Sequence, residues 1–192
     1  MNPRKELAGE LRAERFDITE EGIFFPRLGI QASGEYFDRI NGGQWSGSNP
    51  NLIPVEGLAH LLNVALGTTA KPAGYYLALF SGTTAPAANW TAASFAAVAS
   101  EIVSLTEGYT AATRPVWTPV NTATGSIDNI ASPAEVTIAT SGTLNVTGLA
   151  LLTSNARGGT TGVLVSAAKF AAARTFQNGD TYEIGYRLNL TV

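Results

Sequence analysis

The sequence predicts a mainly β protein: a β-sandwich or jelly-roll-like domain with one or two short helices and an extended N-terminal arm. Three observations carry this expectation. From Tyr182 onward the chain alternates, with Tyr182, Ile184, Tyr186, Leu188, Leu190 and Val192 on one side and Glu183, Gly185, Arg187, Asn189 and Thr191 on the other. That is the period-2 pattern of a strand with one buried face. Strand-length apolar runs recur from residue 75 on, broken by Gly/Asn/Thr turns at the roughly ten-residue spacing typical of sandwiches. Charge, finally, is crowded at one end. Residues 1–40 hold six basic and eight acidic side chains, more than half of the charges in the chain.

The charge step divides the chain into an arm at 1–40, a Gly/Ser/Asn-rich linker at 41–50 and a sandwich domain at 51–192. In the arm, Leu7 and Leu11 lie one helical turn apart, so a short helix is expected over residues 4–15, too short to be stable alone. Ile23-Phe24-Phe25-Pro26 and Leu28-Gly29-Ile30 follow, apolar but too brief to build a core. An apolar, charged segment of this kind gains little by folding on itself and is expected to dock on another surface. Phe16, Ile23, Phe24, Phe25 and Ile30 are its candidate interface residues.

After the linker, Pro54 to Leu66 predicts a helix that covers one open end of the sandwich. Proline suits the first turn, and Val55, Leu58, Leu61, Leu62, Ala65 and Leu66 form an apolar stripe at three- and four-residue spacing. Gly67 stands where a left-handed cap belongs. A second, Ala-rich helix is expected over about residues 91–102, with Phe95, Val98 and Ile102 on one side. Tyr75–Phe80 predicts a buried strand. Val116-Trp117-Thr118, between two prolines, suits a sheet edge. Glu135–Ala139 alternates, and Thr143–Thr153, apolar in its second half, predicts a central strand. Gly162–Phe170 follows the turn Arg157-Gly158-Gly159, and Asn178-Gly179-Asp180 turns the chain into the final strand.

Composition narrows the function. Only 14% of the 192 residues are charged, against roughly 25% in ordinary soluble domains. A weakly charged skin fits a protein whose surface is occupied by neighbours. The net charge of −3 and the scarcity of lysine after residue 5 argue against a nucleic-acid partner, since phosphate binding needs clustered Lys and Arg. Cysteine is absent, which removes disulfides and thiolate metal sites. No apolar run approaches the ~20 residues of a membrane span. The first residues carry charges where a secretion signal needs apolar ones, so the chain is expected to be made and used in a reducing compartment, or assembled there and released.

Catalytic groups are sparse. The single histidine, His60, sits within the predicted helix with Glu56 one turn away, and reads as a helix-flank residue at an interface or surface rather than as part of a triad. Metal-ligand spacings are missing, and Gly42-Gly43 is not followed by the Lys-Ser/Thr of a phosphate-binding loop. Asp128, Glu135, Asp180 and Glu183 are the carboxylates a glycosidase pair would draw on, but Asp128 and Asp180 sit in turn sequences where Asp serves geometry alone. No enzymatic activity, cofactor or metal is expected. Among the tryptophans, Trp117 reads as core, while Trp45 and Trp90 lie in predicted loops, where exposed aromatics serve as interface anchors or stack on sugar rings.

Asn51-Leu-Ile-Pro-Val-Glu-Gly-Leu58, Tyr75-Tyr-Leu-Ala-Leu-Phe-Ser-Gly82, Gly125-Ser-Ile-Asp-Asn129, Gly162-Val-Leu-Val-Ser166 and the closing strand after Asn178-Gly-Asp carry a family likeness. Through them the run from Asn51 on resembles small virion proteins of tailed bacteriophages, a group of capsid cement or decoration proteins and tail-fibre proteins. The resemblance implies β-sandwich domains and no catalysis. The expected function is a capsid cement protein that binds the outer shell at capsomer junctions, with the major capsid protein and copies of itself as partners and a homotrimer as its state. Neither nucleic acid nor membrane is an expected partner. The alternative is a tail-fibre or receptor-binding module that recognises a cell-surface glycan.

Overall fold

The computed structural model describes residues 31–191 in full and, before them, the backbone of two short strands. These are β1 (Phe16–Ile18) and β2 (Phe24–Pro26), an antiparallel pair with Asp17 opposite Phe25. The helix expected over 4–15 lies outside the described residues. The chain divides into two compact units, one holding residues 1–31 and 190–192 and the other running from Ala32 to Asn189.

The larger unit is mainly β, as expected, and holds two antiparallel sheets. The strands are β3 (Gln31–Ile40), β4 (Asn49–Pro50), β5 (Tyr75–Phe80), β6 (Gly108–Tyr109), β7 (Val116–Trp117), β8 (Ser126–Asp128), β9 (Ala134–Ala139), β10 (Leu144–Leu152), β11 (Leu164–Phe176) and β12 (Thr181–Thr191). Two helices join them, α1 (Val55–Ala65) and α2 (Ala92–Val98). One sheet runs β11-β10-β5-β7; the other runs β4-β3-β12-β9-β6, with β8 also paired to β12.

The final strand follows its predicted register. Tyr182, Ile184 and Tyr186 are fully buried and Leu188 packs against the same core, whereas Leu190 is exposed. Across the core they meet Leu77, Leu79, Leu149 and Leu151 from the facing sheet. The four-stranded sheet is buried on both faces, because Ala78, Phe80, Ala150 and Leu152 point the other way into a second cluster under α2. That explains why β5 and the end of β10 read as continuous apolar runs rather than alternations. β10 is central and β7 is an edge, as predicted.

The expected boundary at residue 40 is not where the structure divides. Residues 32–40 belong to the larger unit as part of the sheet strand β3, with Tyr36 and Asp38 buried. Three of the charges counted into the arm are paired within this unit: Arg39 with Glu183 at 2.6 Å, Asp38 with Arg174 at 2.7 Å and Glu35 with Arg187 at 3.3 Å. Residues 41–50 are correspondingly no linker. Asn41 and Gly42, both with positive φ, turn the chain, and Asn49–Pro50 returns to pair with Glu35 and Tyr36. Asn41 also accepts from the Thr181 N–H, tying the turn to β12.

The helices differ in detail from expectation. α1 ends at Ala65, capped by Leu66, without a left-handed Gly67; that glycine is needed instead because a Cβ there would meet the Asn63 carbonyl at 2.7 Å. α2 stops at Val98 because Ser100 adopts a φ of +53°, and Ile102 then continues as extended chain, its N–H donating to the Leu79 carbonyl.

Candidate interaction surface

Helix α1 is held by the face opposite to Val55, Leu58, Leu62 and Leu66. Gly57 is buried against β11, and a side chain there would collide with the Val165 carbonyl, so the helix backbone lies directly on the strand. One turn on, His60 is buried, its Nε2 3.1 Å from the Tyr75 hydroxyl and its ring edge-on to the Tyr75 ring. Burial holds its pKa below the ordinary histidine value, although nearby Glu56 pulls the other way. Leu61 completes the inward face by packing on the main core. The aromatic chain continues from Tyr75 to Trp117, Tyr186 and Tyr36, whose hydroxyl meets Ser166 Oγ across the sandwich at 2.7 Å.

Glu56 fixes the orientation. Its carboxylate accepts the Ala92 N–H at the start of α2 (2.8 Å) and the Leu164 N–H at the start of β11 (2.7 Å). Both donors are orphans of their own elements, so one side chain joins two helices and a strand.

The consequence is an outward apolar stripe. Val55 is 64% exposed, Leu58 44%, Leu62 61% and Leu66 85%, each on the same side at helical spacing. Of the six stripe residues expected from sequence, only Leu61 reaches the core. Scattered exposed leucines need no explanation, but a contiguous row with no charge in it makes this face the candidate interaction surface.

The other sites offer little chemistry. His60 is turned to Tyr75, and Glu56 spends its Oε2 on two amides, so the pair forms no acid–base couple. Among the described residues there is no group of three or more metal-ligating side chains, and no helix long and apolar enough to cross a membrane. An open groove of about 540 Å³ is lined by Tyr76, Arg114, Val116 and Glu135 among others. Its arginine is locked in a fully buried ion pair with Glu101 at 2.7 Å.

Trp90 corrects its prediction as an exposed loop residue: it is 6% exposed and packs on Phe95 in the cluster beneath α2. The signal for this was in the sequence. Trp90 precedes the N-cap Thr91, which forms a capping box with Ser94, and Phe95 is the fourth helical residue. An apolar pair at those two positions is a hydrophobic staple. Trp45 is half-buried, one ring face covered by the Arg39 guanidinium at 4.7 Å. Phe16, Phe24 and Phe25 fall on β1 and β2; Ile23 and Ile30 lie outside the described residues. Comparison with known proteins adds no assignment. No protein-family model matches the chain, and no curated protein matches it significantly. The outward turn of the α1 leucines was not legible from periodicity, which gives the stripe but not the side on which the sheet lies.

Proposed function

We propose that this protein is a non-enzymatic structural subunit of a tailed-bacteriophage virion, a capsid cement or decoration protein. It binds the outer shell at capsomer junctions and stabilises it, with the major capsid protein and copies of itself, as a homotrimer, for partners. The observation that carries the reading is the uncharged apolar face of α1, presented outward on a sandwich in which Arg39, Arg114, Arg174 and Arg187 are all engaged in internal ion pairs. Such a surface is costly for a monomer in water and suits a subunit covered by neighbours. The resemblance of the run from Asn51 on to phage virion proteins supports the same class. The apolar side chains Phe16, Ile23, Phe24, Phe25 and Ile30 are proposed as further contacts to the shell.

The glycan-binding, tail-fibre alternative has less support, since stacking on sugars needs open aromatic faces. Trp90 and Trp117 are buried, and Trp45 is already half covered. Quantitative mass spectrometry of purified virions tests the proposal. A copy number on the scale of the capsomers supports a cement protein. A copy number matching the tail, or absence from the particle, overturns it.

A further inference from the structure

Taking the assembly reading as its basis, we infer that α1 is a self-association seam, in which a second copy of this chain packs its own α1 against Val55, Leu58, Leu62 and Leu66. Spacing is the first argument. Val55, Leu58, Leu62 and Ala65 follow a three–four–three interval, the a/d pattern by which two helices interlock side chains along a shared seam, with a β-branched residue leading at an a position. Leu66 widens the stripe at its C-terminal end.

Charge is the second argument. Glu56 is the helix's only charged residue, and its carboxylate is turned inward to the Ala92 and Leu164 amides. Two copies therefore meet with no like charges opposed and no ion stripped of water. A partner of strongly acidic or basic character finds nothing on this face to pair with, whereas the α1 face of another copy is equally apolar and equally free of charge.

Area is the third. The four side chains expose on the order of 400 Å² of apolar surface, about half of the ~800 Å² per partner in a stable interface. This fits the apolar centre of such an interface, with exposed Ala59, Asn63, Thr68 and Thr69 as its uncharged rim.

The test is sedimentation equilibrium of the full chain over a micromolar concentration series, beside Leu62→Glu and the milder Leu62→Gln, with circular-dichroism melts of each. The expected result is a wild-type mass above that of one chain. Leu62→Glu weakens association by at least about 30-fold, as a central interface residue does, Leu62→Gln falls between, and the melts coincide under conditions where each is monomeric. A wild type that stays monomeric throughout overturns the inference. So does a Leu62→Glu variant that keeps the wild-type mass, which places self-association elsewhere. A monomeric wild type whose melting temperature falls on Leu62→Glu substitution also overturns it, because a segment of the same chain then covers the stripe. Virion copy number is independent of all three outcomes, so loss of the seam leaves the cement reading standing on its own test.

Discussion

Replacing Glu56 by alanine isolates the contact that orients α1. The substitution removes the acceptor of two backbone donors, the Ala92 N–H at 2.8 Å and the Leu164 N–H at 2.7 Å. An orphaned donor costs about 1–3 kcal/mol when buried. Water reaches this half-buried site, which puts each amide at the lower end and the pair at about 2–4 kcal/mol. With a urea dependence of about 2 kcal/mol per molar, the unfolding midpoint falls by about 1–2 M. Glu56→Gln keeps an oxygen at the same place and loses only the charge, so it is expected to cost less than half as much. Amide hydrogen exchange supplies the local readout, with Ala92 and Leu164 exchanging faster in the alanine variant while Leu149, deep in β10, follows only the global change. An alanine variant within about 0.5 kcal/mol of wild type, a difference of the size surface substitutions give, refutes the view that this carboxylate holds the helix.

Two more expectations test the interior. Arg114→Met leaves the Glu101 carboxylate fully buried with only the Gly158 N–H, so it costs about 3–5 kcal/mol. Adding Glu101→Gln recovers part of the loss in a double-mutant cycle, and strictly additive effects would show that the pair is not coupled. Alkaline unfolding is the second. Burial pushes the Tyr109 and Tyr186 hydroxyls up to about 12, and those of Tyr36 and Tyr182 well above their ordinary value. Because the folded pKa values are raised, stability is intact below the unfolded value of about 10 and declines above it by about 1.4 kcal/mol per group per pH unit. Tyrosinate absorbance is expected to rise in one cooperative step together with loss of the β circular-dichroism signal. Smooth titration near pH 10 with the fold intact contradicts it.

What the sequence disclosed followed from how each residue is constrained. β12 was readable because one of its faces meets the core and the other carries Glu183 and Arg187, so alternation survives in the residue types. β5 and β10 were readable as strands from their apolar runs, but the α2 cluster that buries their second face was not, since Trp90 looked like a loop aromatic until its staple to Phe95 is considered. β3 was misassigned because Glu35, Asp38 and Arg39 count as solvated charges in any compositional reading. Their partners Arg187, Arg174 and Glu183 lie far along the chain, and distant ion pairing leaves no local mark. The α1 stripe was visible, but its direction was decided by Gly57, whose lack of a side chain lets the helix backbone approach β11.

The pairing of β3 with β12 also has a temporal side. Arg39 and Glu183, which face each other across these strands, are 144 residues apart in sequence. At a synthesis rate of about 5–20 residues per second, β3 emerges from the ribosome some 7–30 s before the strand that completes it. The β3–β4 hairpin shields one of its edges early; the other stays open to any strand that comes by. In a cell making many copies at once, neighbouring nascent chains present the same unfilled edge. The Asp38, Arg39 and Glu35 charges along β3 then act before the fold exists, keeping that waiting edge in water until its own partner arrives.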